Sequence, residues 1–173
     1  DATRMPAAMH SEYLRRFFLH NDFARGAYKV DGRAVIFSDV RCPVFAVGTT
    51  KDHVAPWRSV FKIHQLADTE VTFALTTGGH NAGIVSEPGH PRRSHQIATR
   101  ADLDRYADAD EWMREAPTLE GSWWPSWLAW MNARADAAKV PARTPQRAAL
   151  PAASTLPADG ELPAAPGDYV RMP

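Results

Sequence analysis

The 173-residue sequence has one cysteine, no excess of either charge and no long apolar run, and each shortage removes a class of protein. Cys42 has no second cysteine to pair with, so an internal disulfide framework is excluded. Twenty basic side chains balance twenty acidic ones, which leaves no electrostatic footprint for a nucleic acid. No apolar stretch approaches the roughly 20 residues that cross a bilayer. No secretory leader is visible, and a cytoplasmic location is the resulting expectation. Hydrophobic residues make up 45% of the chain, an ordinary share for a globular protein, and its length suffices for one domain with a core. The opening, DATRMPAAMHSEYLRRFF, reads as continuing sequence, so further sequence is expected ahead of Asp1.

Hydrophobic periodicity then marks the elements. In PAAMHSEYLRRFFLHNDFARG, residues Tyr13, Leu14, Phe17 and Phe18 form a stripe at helical spacing, with Asn21 and Gly26 as stop signals. YKVDGRAVIF places Asp-Gly between two β-leaning runs, a hairpin signal. CPVFAVG, residues 42–48, is a continuous apolar run of the kind a strand covered on both faces requires. A helix follows over about 57–67, with Trp57, Val60, Phe61 and Ala67 on one face, and EVTFALT at 70–76 is a second strand. Strand, loop, helix, strand is the pattern of a βαβ unit and a parallel sheet. SEPGHPRRSHQIATR reads as irregular, DADEWMREA as a short helix and GSWWPSWLAWMNAR as another. In the last, Ser122 is a candidate N-cap, and Trp123, Trp127 and Trp130 share a face. From about residue 137 the composition turns to Ala and Pro, which predicts a flexible tail over 137–173.

Open parallel sheets carry their chemistry at the carboxyl ends of the strands. Two loops leave such ends, TTKDHVAPW and TGGHNAGIV, and they hold Asp52 and His80. Asp52 could be a turn residue or a helix cap; Pro56 fits the first helical turn and puts Asp52 upstream of the helix start, which weighs against the cap. His80 could be a hydrogen-bonded structural residue. The two preceding glycines instead permit a tight turn that holds an imidazole at a strand end, where a carboxylate would fix its tautomer. His53 is a near-site residue, and Trp57 is placed beside the pocket. The histidines at 53, 64, 80, 90 and 95 match no metal-binding spacing, so neither a metal nor a cofactor is expected. Cys42, just before Pro43, reads as a buried, inert thiol. SEPGHPRR reads as a solvated loop, with Arg92 and Arg93 as the candidates if it binds an anion.

PVFAVGTTKDHVAPW looks like the segment around the catalytic acid of α/β-hydrolases, and TFALTTGGHNAGIV like their last strand and catalytic histidine. With MHSEYLRRFFLHND, EPGHPRRSHQ and EGSWWPSWLAW in order, Met9 to Trp130 resembles the C-terminal part of the polyhydroxyalkanoate synthases, and APGDYVRMP is a fainter echo. The resemblance implies the C-terminal portion of an α/β-hydrolase fold: the end of a cap region over 1–25, catalytic-domain sequence over 26–136 and the tail. It implies an acyltransferase that polymerises (R)-3-hydroxyacyl-CoA into polyester with release of CoA, as a homodimer at the surface of cytoplasmic polymer granules. A cysteine on a G-x-C-x-G elbow would be the nucleophile, His80 its base, and Asp52 either the support of His80 or an activator of the substrate hydroxyl. Neither G-x-C-x-G nor G-x-S-x-G occurs in the chain, so the nucleophile is expected upstream of Asp1 and the chain alone is expected to be inactive. A serine nucleophile would instead imply an esterase or depolymerase, and a relative without a triad would imply a non-catalytic granule protein.

Overall fold

A computed structural model describes residues 4–101, 105–106 and 108–135. The tail expected at 137–173 lies outside the described residues.

Helix α1, Ala7–Tyr13, runs on as a π-helical segment, Leu14–Leu19. Asn21 then turns the chain with φ 51° and Gly26 with φ 67°, so both stop signals act as sequence reasoning expects. The apolar stripe does not become core. Tyr13, Leu14 and Phe18 are exposed, and only Phe17 is half-buried, against Tyr13, Phe23 and Tyr28. Strands β1, Lys29–Val30, and β2, Arg33–Ala34, pair as the expected hairpin. Its two turn residues, Asp31 and Gly32, sit at φ 49° and 77°, as a two-residue turn with left-handed central positions demands.

The sheet that matters for function has four strands in the order β3-β4-β5-β6. β3, Val44–Thr49, and β4, Val71–Thr76, pair in parallel from Val44↔Val71 to Thr49↔Thr76. They are joined by α2, Trp57–Phe61, and α3, Ile63–Leu66, where sequence reasoning predicts one helix; the break falls at Lys62. β3 is an edge strand among the described residues and is half-buried over Val44–Val47, so its apolar run is not covered on both faces as expected. The fully buried strand is β4, all six residues of it.

Two strands went unread in the sequence. β5, Ser94–Arg100, lies antiparallel to β4, within the stretch expected to be irregular. It is polar because only part of it is buried, so apolar alternation is absent. β6, Thr118–Glu120, pairs beside it and is exposed throughout. Helix α4, Ala109–Glu115, starts at a well-made cap: Asp108 Oδ1 accepts from the amides of Asp110 and Glu111 at 2.9 and 2.8 Å.

Residues 46 and 73 pair across the ladder and share a face, as do 45 and 72. On the first face, Phe73 and Leu75 pack with Trp57 and Phe61 of α2 and with Trp112 of α4. Burying each of the larger side chains stabilises the fold by about 1.5–3 kcal/mol. On the second face Phe45 meets Trp123 at 6.2 Å and Trp130 at 5.5 Å, which brings α5, Trp124–Asn132, against the sheet. The result is a mixed α/β fold with helices on both faces of a sheet that contains a parallel pair.

Candidate functional site

The site grows from the parallel ladder, which continues past the strands into the two loops. The Thr50 amide donates to Thr76 O at 3.0 Å and the Lys51 amide to Gly78 O at 2.9 Å, so the loops leaving β3 and β4 run side by side. Gly78 has φ +123°, and a Cβ there would lie 2.8 Å from Gly83 Cα; only glycine lets the second loop fold back on itself. His80 begins that turn, which closes through Gly83 N donating to Gly79 O at 2.9 Å and Val85 N donating to Asn81 O at 2.9 Å.

Asp52 Oδ1 accepts from the backbone amides of Val54 at 2.9 Å and Ala55 at 2.8 Å. The carboxylate thus organises its own loop rather than the helix, which starts five residues on at Trp57. These bonds hold its pKa down at about 2. The Ala55 amide acts most strongly, with His80 and the Val54 amide adding to it against the desolvation of the group. Its side chain is 8% exposed, whereas that of His80 is 47% exposed.

His80 Nδ1 lies 2.9 Å from Asp52 Oδ2 and 3.1 Å from Oδ1. An ionised carboxylate only accepts, so Nδ1 carries the proton and donates it. In the neutral ring Nε2 is then the basic nitrogen, and it has no hydrogen-bond partner among the described residues. This is an imidazole of fixed tautomer and orientation, backed by a negative charge and open to a proton donor.

The remaining histidines stand apart from this pair. His53 is exposed on the Asp52 loop. His64 is buried under the sheet with its ring 4.4 Å from Phe61, and burial, aided by Arg100, pushes its pKa down to about 4. His95 is buried, with Nδ1 at 3.2 Å from Gly121 O and Nε2 at 3.0 Å from Ser126 Oγ. His90 is half-buried, with Nδ1 at 2.9 Å from Pro91 O. Trp57 packs into the core on α2.

Cys42 is exposed, not buried as expected, because the strand begins two residues later at Val44. It precedes the amino end of β3, while the Asp52–His80 pair sits beyond the carboxyl end. A six-residue strand is roughly 20 Å long. Arg92 is exposed with φ 59°, and Arg93 turns inward to donate to Thr77 O at 3.3 Å, so one arginine of the candidate anion loop is committed to backbone.

Sequence reasoning missed how the His80 turn is held. Ser122, Trp123 and Trp124, at the start of α5, all donate to its backbone carbonyls. The adjacent tryptophans ahead of Pro125 are the visible signal, but helical spacing groups Trp123 with Trp127 and Trp130 and says nothing of the indole N–H groups. Ser122 lies one residue ahead of the N-cap position, which Trp123 occupies, and its Oγ accepts from the Trp124 amide at 3.0 Å.

The fold and the pair together define an α/β protein with a carboxylate–imidazole dyad at the carboxyl ends of adjacent parallel strands. The chain is homologous over nearly its whole length to the poly(3-hydroxyalkanoate) polymerases. It is 40% identical over 172 residues to the poly(3-hydroxyalkanoate) polymerase subunit PhaC of Rhizobium meliloti (strain 1021), covering 99% of this chain and 26% of that protein. It is 39% identical over 173 residues to the poly(3-hydroxyalkanoate) polymerase of Methylorubrum extorquens, again 99% of this chain and 26% of the relative. Poly(3-hydroxyalkanoate) polymerase 2 of Ectopseudomonas oleovorans is 33% identical over 170 residues, 98% of this chain and 28% of the relative. The chain therefore spans about a quarter of the length of the curated relatives it matches. No protein-family model matches it.

Proposed function

We propose that this chain carries the general-base half of a poly(3-hydroxyalkanoate) polymerase of α/β-hydrolase fold, with the nucleophile supplied by sequence outside these 173 residues. The observation that carries the reading is the contact between His80 Nδ1 and the Asp52 carboxylate, which leaves Nε2 unengaged among the described residues. Support for the fold comes from the parallel β3–β4 pair with both site loops at its carboxyl ends. On this reading residues 1–25 end a cap region and the residues that follow, from 26, belong to the catalytic domain. The enzyme works as a homodimer at the surface of cytoplasmic granules.

The chemistry follows from the dyad. His80 Nε2 takes the proton of a cysteine thiol, and the thiolate attacks the thioester carbonyl of (R)-3-hydroxyacyl-CoA. The acyl–sulfur bond to CoA breaks, and the departing thiolate recovers the proton from His80. In elongation His80 takes the proton of an incoming 3-hydroxyl, whose oxygen displaces the enzyme's sulfur to form the ester. Asp52 does not reach the substrate in this scheme. Both its oxygens lie within hydrogen-bond distance of His80 Nδ1, and Oδ1 also accepts from two amides, so its role is to hold the tautomer and stabilise the imidazolium.

The test is product analysis with (R)-3-hydroxybutyryl-CoA and a polymerase containing this sequence. Insoluble polyester formed in step with CoA release is the expected result. Free 3-hydroxybutyrate without polymer would overturn it in favour of a hydrolase. The 173-residue chain by itself is expected to release no CoA.

A further inference from the structure

We infer that Ser122, Trp123 and Trp124 are positioning residues for His80, acting through the backbone of the turn that carries it. The inference rests on the general-base reading of His80 above. Trp123 Nε1 donates to Gly83 O at 3.2 Å, Trp124 Nε1 donates to Ile84 O at 2.9 Å, and Ser122 Oγ donates to Ser86 O. Three consecutive side chains thus engage three carbonyls within four residues, across a sequence separation of 36–40 positions.

The turn needs such an anchor. The three backbone bonds within Gly79 to Val85 close the turn on itself and do not tie it to a neighbouring element, and Asn81, Ala82, Ile84 and Val85 are exposed. A free turn of this kind would let the imidazole wander, and small misplacements of a catalytic group cost up to about a hundredfold in rate. Gly83 and Ser86, by contrast, are buried beneath the clamp.

The clamp is itself fixed to the sheet. His95 on β5 is buried and spans the start of α5, with one ring nitrogen against Gly121 O and the other against Ser126 Oγ. The Gly121 amide donates to Arg93 O at 2.7 Å, and Gly121 takes φ 89° to bring Ser122 round to the loop. Trp123 stacks on Phe45 of β3. The clamp therefore refers the position of the His80 turn to β3, through Phe45, and to β5, through His95.

The experiment removes the donors and keeps the rings. In a polymerase containing this sequence, Trp124→Phe is expected to lower kcat about tenfold with KM for (R)-3-hydroxybutyryl-CoA little changed. It is expected to shift the pH profile of kcat and to speed amide exchange at Gly83 and Val85. Trp123→Phe with Trp124→Phe should lose up to about a hundredfold in kcat. Trp124→Phe is partly exposed at the substituted position and serves if the double variant does not fold. His80→Gln is run alongside. If His80→Gln abolishes turnover while Trp124→Phe leaves kcat, pH profile and amide exchange as in the parent, the positioning inference is overturned. If His80→Gln itself leaves turnover intact, the general-base reading fails first.

Discussion

Gly83 rests directly on Thr49: a Cβ added to Gly83 would lie 2.6 Å from Thr49 Cγ2 and 2.9 Å from Thr49 Cβ. The end of β3 and the His80 turn are thereby in contact, and the spacing between them depends on a missing methyl group. Gly83→Ala should cost about 1–3 kcal/mol by overpacking and should displace the turn. Thr49→Ser removes the nearest methyl. The double variant should therefore recover part of the melting temperature and of the rate lost by Gly83→Ala, which thermal unfolding and turnover measurements will read.

His64 makes the fold sensitive to acid. Burial, aided by Arg100, lowers its folded pKa to about 4 from the ordinary 6.5, so the neutral ring is the form the fold accepts. As pH falls below the unfolded value, the unfolded chain binds the proton first. This contribution is complete above about pH 6.5 and is lost as pH falls towards 4, an effect on the order of 3 kcal/mol. His64→Gln should flatten the fall in denaturation midpoint between pH 7 and 4.5 relative to the parent.

Asp52 titrates in the same sense, in a lower pH window. Its folded pKa lies near 2, held there first by the Ala55 amide, against 3.8 in the absence of the loop. Its stabilising contribution is present above about pH 4 and disappears as pH falls through 2. Carboxyl NMR should find Asp52 still ionised at pH 3. It follows that Asp52 does not set the acid limb of any activity profile measured above pH 4.

Phe61 ties the helical layer to the sheet. It is 2% exposed, and its ring lies 5.1 Å from Phe73, 5.6 Å from Trp112 and 6.2 Å from Trp57. Phe61→Ala should destabilise the fold by about 3–5 kcal/mol, measured by denaturant unfolding. The Asp52–His80 pair stands beyond the other end of α2, so Phe61→Leu should lower stability by less and leave the pair in place.

The parallel pair and the meeting of Asp52 with His80 were legible in the chain because both follow from topology. Adjacent parallel strands put their exit loops on one edge whatever the side chains do. The Asp31-Gly32 turn was legible for a local reason, since its φ angles favour those residues. β5 was not legible, because Ser94 to Arg100 mixes polar and apolar side chains without a period. The exposed stripe that runs from the end of α1 into the π-helical segment was legible as helical but not as uncovered. Periodicity reports a face, and only tertiary contact says whether anything lies against it. The Trp123–Trp124 clamp escaped because indole N–H groups leave no spacing signature; their acceptors are backbone carbonyls 40 positions away.

The central claim is that His80, held by Asp52, is the base that drives acyl transfer. The direct measurement is the rate of CoA release from (R)-3-hydroxybutyryl-CoA by a polymerase containing this sequence, comparing the parent with His80→Gln and Asp52→Asn. Each variant is predicted to fall by at least about a hundredfold. Both are expected to stay folded at pH 7, with Asp52→Asn melting somewhat lower than the parent because its loop loses the carboxylate that accepts from the Val54 and Ala55 amides. Well-folded variants that keep CoA release within a few-fold of the parent would contradict the account.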